Sequence, residues 1–210
     1  MVEDSLPKAI MELEKAVGAK PGFFYGLMRE DDWSFVIKIH ALVEAAVTHL
    51  LIVASGTEKL GDVYTLLELS DSRKGKLAFV RGLDLLSDKH RRLIRTLSEI
   101  RNSLVHDIKN IGTTLDDYVA QLNRQQHQNF IEAILLDFDS PIEIGGRNIP
   151  IRQVLAENPK FGIWMAGMDL LASIYMAKEG FKMRRDYLTL TEKFAKTILG
   201  KDGEFLGMKK

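Results

Sequence analysis

The chain has 210 residues, 46% hydrophobic and 28% charged, with 16 Gly and 5 Pro, so it can bury a sizeable core and is neither disordered nor collagen-like. Its 29 Lys plus Arg balance 29 Asp plus Glu, so no global positive field draws it onto nucleic acid or an anionic membrane, and any such contact needs a local patch. Cysteine is absent, which excludes disulfides, thiolate zinc sites, iron–sulfur clusters and a thiol nucleophile; a cytoplasmic protein is the simplest expectation.

The start, Met1-Val2-Glu3-Asp4, is acidic where a secretory leader is basic and then apolar. A first helix is predicted from about Leu6 to Val17, with Ser5 as N-cap, ending at Gly18 before the Lys20-Pro21-Gly22 breaker. A much longer helix is predicted from Asp31 or Asp32 to Ser55-Gly56, because Phe35, Ile39, Leu42, Ala46, Leu50 and Val53 recur three or four apart. Val36, Val43 and Val47 add a second apolar stripe, the pattern of a central helix buried on several sides. The longest apolar runs, Ala41 to Ala54 and Phe161 to Ala177, are interrupted by Glu44 and His49 and by Asp169, and both fall short of a bilayer span, so no membrane insertion is expected.

Asp62 to Leu69 reads as a short helix and Lys76 to Leu86 as another amphipathic segment. Ser87 or Asp88 can cap the next helix, whose apolar face is Leu93, Leu97, Ile100 and Leu104. Thr113 or Thr114 can cap a further helix, predicted to continue to about Asp137. Ile142 to Ile149 contains the one β signal, two short runs around Gly145-Gly146, which supply the positive φ angles of a tight hairpin. A short helix near Gln153 to Ala156, a mostly buried helix from Lys160 to Lys182, and a terminal helix from Thr191 to Leu199 complete the reading, with a frayed tail after Gly200.

The residues best suited to chemistry stand at the end of the helix after Ser87: Glu99-Ile100-Arg101-Asn102-Ser103-Leu104-Val105-His106-Asp107. On an ideal helix a spacing of five sets Arg101 and His106 roughly 140° apart, so they converge only if the helix ends or bends between them, or if a second chain contributes. A structural reading stands beside the functional one: Arg101 can pair with Asp107, Glu99 or Glu44, Asn102 can cap a helix end, and His106 can be a satisfied polar residue at a turn.

Arg101-Asn102-Ser103-Leu104-Val105-His106 resembles the Arg-x4–6-His signature of HEPN domains, including the polar residue after the arginine. The order of elements over Asp31 to Asp137 is similar to the helical bundles of that superfamily. The segments Phe35 to Ser55, Lys76 to Leu83 and Leu97 to Asp107 look most similar to mannitol operon repressor-type proteins, which act in transcriptional repression without a conventional DNA-reading motif. The resemblance does not extend to the hairpin or the C-terminal helices. It implies a homodimer that brings two motifs into one cleft for metal-independent endoribonuclease chemistry. In that chemistry histidine serves as base and acid near neutral pH. Arg101 would stabilise charge on the phosphorane and Asn102 would orient His106 or hold a phosphate oxygen. The product would be a 2′,3′-cyclic phosphate, with no metal and no cofactor.

His40 and Glu44 stand four apart on the long helix, suited to a metal pair or to orienting His106, and more simply to a buried polar pair; Glu44 can also meet Arg101. His49 falls on the opposite side, so no third metal ligand is near. Lys89, His90, Arg91, Arg92 and Arg95 form a basic run before the motif, a candidate phosphate-backbone contact or a solvated first turn. Lys182, Arg184 and Arg185 offer cations with no reason to lie near Arg101. No Gly-rich phosphate loop, serine elbow, HExxH, EF-hand or convincing helix-turn-helix is present.

The expected fold is an all-α up-and-down bundle of HEPN type with one small β-hairpin. Residues 1–30 form an N-terminal helix and connector, 31–138 the HEPN-like core, and 139–210 the hairpin and C-terminal helices packing on that core. The expected function is RNA-directed, with a metal-independent endoribonuclease as its hypothesis, an activity that a toxin–antitoxin or phage-defence role would fit. A non-enzymatic transcriptional regulator, or a nucleotide-binding HEPN module beside a separate transferase, is the alternative. Expected partners are a second copy, RNA, and an antitoxin or transcription factor.

Overall fold

The computed structural model describes residues 5–105 and 112–199. His106, Asp107 and the tail after Gly200, singled out in the sequence, lie outside these residues. The described chain is an all-α bundle with one small hairpin.

The first helix, α1 (Ser5–Val17), is followed by a short helix, α2 (Phe23–Leu27), where the sequence suggests only a connector. The buried Glu14 carboxylate explains it: it accepts the backbone N–H groups of Gly22 and Phe24, both at 2.8 Å, satisfying donors that a helix start leaves open. Trp164 Nε1 donates to the Phe24 carbonyl at 2.8 Å and ties α2 to the C-terminal helix.

At the centre is α3 (Asp32–Ser55). Asp31 caps it by accepting the Ser34 N–H at 2.9 Å, and Gly56, at φ 70°, ends it. Phe35, Ile39 and Leu50 of the first expected stripe and all of the second, Val36, Val43 and Val47, are buried, with Leu51 beside them, whereas Leu42, Ala46 and Val53 are only half-buried. By length and composition α3 can cross a bilayer, because the apolar turns from Phe35 to Ile39 extend the run counted from Ala41. Here those side chains instead form the middle of the core, against the C-terminal helix and the three helices that follow α3.

A 3-10 turn (Glu58–Leu60) leads into α4 (Gly61–Leu66), which stops earlier than Leu69 because Leu67 turns extended and Leu69 enters the core. After a loop comes α5 (Lys76–Gly82). Gly75 is required just before it: a Cβ there would sit 2.8 Å from two atoms of Asp71 and closer still to the Glu68 carbonyl oxygen. Next is α6 (Asp88–Val105), whose Ser87 hydroxyl accepts the His90 N–H at 3.2 Å and whose face Leu93, Leu97, Ile100 and Leu104 is buried as expected.

The single helix expected from Thr114 to Asp137 is two, α7 (Leu115–Ala120) and α8 (Arg124–Leu135). Asn123 breaks it: its backbone is extended, its side chain accepts the Gln126 N–H, and Gln126 returns a bond to the Asn123 N–H, both at 2.9 Å. The hairpin pairs β1 (Ile142–Ile144) with β2 (Arg147–Ile149), Ile142 opposite Ile149, and both Gly145 and Gly146 take positive φ as a two-residue turn demands.

After α9 (Ile151–Glu157) the chain ends in α10 (Pro159–Leu199), one 41-residue helix where the sequence pattern suggests two. The apolar burial ends near Phe181, but neither Arg184-Arg185 nor anything after it stops a helix, so the backbone continues. Lys160 lies 3.1 Å from Asp32, and Arg185 lies beside Gly56, so α3 and α10 run side by side in the same direction.

Candidate functional site

A polar seam runs through the apolar contact between α3, α5 and α6. Lys76, buried at the start of α5, places its ammonium 2.6 Å from a Glu44 carboxylate oxygen. One turn back on α3, His40 Nε2 lies 3.1 Å from the hydroxyl of Ser98 on α6. Three and four residues beyond Ser98 stand Arg101 and Asn102, both half-buried, with an Arg101 Nη1 donating to Asn102 Oδ1 at 3.0 Å. The spacing along each helix explains the seam: His40 and Glu44 share a face of α3, as Ser98, Arg101 and Asn102 do on α6.

The groups act on one another electrically. Burial pushes the His40 imidazole below its usual value; the Glu44 carboxylate opposes this, and the Arg101 charge adds to it. His40 is therefore the neutral, hydrogen-bonding form at neutral pH. Glu44 meets Lys76 and not Arg101 as the sequence allowed. An Arg101–Glu44 pair would have taken the carboxylate that the buried Lys76 requires. Among the described residues no carboxylate comes within ion-pair distance of Arg101, so its planar fork of donors keeps capacity for an anion such as a phosphate.

The basic run is mostly neutralised by its own chain. Lys89 pairs with Asp137 and Arg91 with Asp88, while Arg92 reaches Glu132 at 3.4 Å. His90 Nε2 lies 2.8 Å from Asp169 on α10. Arg95 is exposed and has no ion pair among the described residues; it stands two turns before Asn102 on the same side of α6. Arg185 and Lys182 line a surface depression with His49 and Gly56, at the level of the C-terminal end of α3 and away from Arg101. No group of three or more His, Asp or Glu among the described residues is arranged to hold a metal ion, and His40 with Glu44 serves the polar seam.

Sequence reasoning missed Lys76 and Ser98 as members of the seam. Lys76 was visible as a charge opening an otherwise apolar helix, Leu77 to Val80, but its partner is 32 residues away, and Ser98 is 58 residues from His40. Scans against protein-family models, curated proteins and solved structures find no match to this chain.

Proposed function

We propose that this chain is a HEPN-like cytoplasmic protein that acts on RNA, with Arg101 as the phosphate-holding residue. The observation that carries the reading is the contrast along α6: Lys89, Arg91 and Arg92 are each neutralised by an internal carboxylate, whereas among the described residues Arg95 and Arg101 are not, and Arg101 alone of these two is half-buried, held by the amide of Asn102. In the endoribonuclease form of the reading a base takes the proton of a ribose 2′-hydroxyl and the 2′-oxygen attacks phosphorus. The bond to the 5′-oxygen then breaks as an acid protonates it, leaving a 2′,3′-cyclic phosphate. His106 serves as base or acid, two copies supply both, and Arg101 offsets the charge that grows on the phosphate oxygens. The chemistry needs no metal. The test is cleavage of a mixed-sequence RNA in EDTA by wild type, His106→Ala and Arg101→Ala at matched folding; the expected result is cyclic-phosphate ends from wild type alone. A folded wild type that cuts no RNA overturns the nuclease form.

A second reading, a regulator similar to mannitol operon repressor-type proteins that works through protein contact, is favoured by one observation. Lys89, Arg91 and Arg92 before the motif are engaged internally, while α10 exposes a row of large apolar side chains. In that reading the partner is a transcription factor or an antitoxin.

A further inference from the structure

Beyond Phe181, α10 leaves the body of the protein, and every described side chain from Lys182 to Thr197 is exposed. A straight apolar stripe begins one to two turns before this segment and runs along it. Met176, Met183, Tyr187, Leu190 and Phe194 are each between 65% and 71% exposed, and with Gly180 they follow one another at intervals of four, three, four, three and four residues. That alternation keeps them on one line along a helix and is the spacing of a two-helix seam. A contiguous line of large apolar side chains left in water without tertiary cover calls for a partner.

We propose that the stripe pairs with the same stripe of a second copy, the two α10 helices running antiparallel. Charge and shape both select this partner. With Tyr187 set opposite Leu190 of the second copy, Met183 meets Phe194 and Gly180 leaves room for Thr197. The flanking Asp186 then faces Lys193 of the second copy, and its Lys193 faces Asp186, giving two identical ion pairs. Neither residue has an ion pair within its own chain among the described residues. On the other flank Arg184 faces Thr191, so no like charges meet. The antiparallel direction also sets the two bodies at opposite ends of the seam, whereas a parallel pair would set them side by side at the buried half of α10. Two such stripes cover on the order of 1,200 Å² in total, the lower bound of a standard stable interface.

The geometry constrains the site as well. Tyr187, Leu190 and Phe194 of the stripe lie past Gly56 at the C-terminal end of α3, whereas the Arg101–Asn102 end of α6 is near the level of His40, about 24 Å of helix away from Gly56. An α10 dimer therefore carries its two Arg101 ends outward, and bringing two motifs into one cleft takes a separate contact.

The test is sedimentation and light scattering of the full chain at micromolar concentration, with Leu190→Glu and with Asp186→Lys, alone and combined with Lys193→Asp. Wild type should run at twice the 23.8 kDa chain mass, or at four times it where the separate contact between Arg101 ends forms as well. Leu190→Glu should halve the wild-type mass and keep a cooperative melt, lowered only by the stabilisation that the dimer contact supplies, and the charge reversal should weaken the dimer while the double reversal restores it. Because the chain lacks cysteine, a Gly180→Cys, Thr197→Cys variant should oxidise to a dimer joined between positions 180 and 197. A monomeric wild type overturns the proposal and makes the stripe a surface for a different protein. A dimer untouched by Leu190→Glu, or one cross-linked 180 to 180, overturns it too.

Discussion

The ammonium of Lys76 is buried 2.6 Å from Glu44, whose carboxylate is about one-third exposed, so an internal cation is held by a partner that reaches water. Removing the partner strands the cation. Glu44→Ala should cost about 3 kcal/mol, the low end of the range for breaking a buried pair, because water can partly replace the carboxylate. Lys76→Met on that background should recover most of the loss. Urea unfolding of the two single variants and the double variant reads both effects; additive losses would mean that the two groups are not coupled.

Gly75 sets where Lys76 enters the seam. Its neighbours are backbone and a short side chain, Glu68 and Asp71, so a methyl group there cannot be absorbed by a rotamer change. Gly75→Ala should destabilise by about 1–3 kcal/mol although its backbone angles suit alanine. Chemical denaturation is sufficient to measure it, and a neutral substitution would show that the loop has room to move.

Glu14 is buried and its two oxygens accept one N–H each, from Gly22 and Phe24. Glu14→Ala leaves both donors without a partner at the start of α2 and should cost about 2–3 kcal/mol. Hydrogen exchange should show the loss first at Gly22 and Phe24. Uniform acceleration across the chain would instead mark a global effect.

His40 gives the fold a pH dependence with a defined sign. Its folded-state pKa lies below the ordinary value of 6.5, through burial first, then Arg101 and Lys76, against Glu44 and Glu68. The fold therefore prefers the neutral ring. Its contribution is intact above about pH 6.5 and is lost progressively as the pH falls through the folded-state pKa. His40→Gln should lose less stability than wild type between about pH 7.5 and pH 5, which paired denaturation curves would read. An equal or steeper loss in the variant would contradict the assigned sign.

Much of the fold was legible because its signals are local. Asp31 and Gly56 bound α3 through capping chemistry within a few residues, and Gly145-Gly146 dictates the hairpin turn. The break at Asn123 was also written locally, in Asn123 and Gln126 three apart, but the apolar period across it is the louder pattern. At α10 the period misled in the other direction, since loss of burial marks the edge of the body and not the end of the helix. The seam was legible only in half. His40, Glu44, Arg101 and Asn102 stood out as polar groups near apolar faces, whereas the pairings of Glu44 with Lys76 and His40 with Ser98 depend on how distant helices pack.

The most direct measurement of the proposed function is binding of a labelled single-stranded RNA, read by fluorescence anisotropy, for wild type, Arg101→Ala and Arg92→Ala. Arg101 lacks an internal carboxylate among the described residues and Arg92 has Glu132, so Arg101→Ala should weaken binding by about tenfold and Arg92→Ala should change it little. Wild type that binds no RNA, or equal losses in the two variants, would contradict the assignment of Arg101 as the phosphate-holding residue.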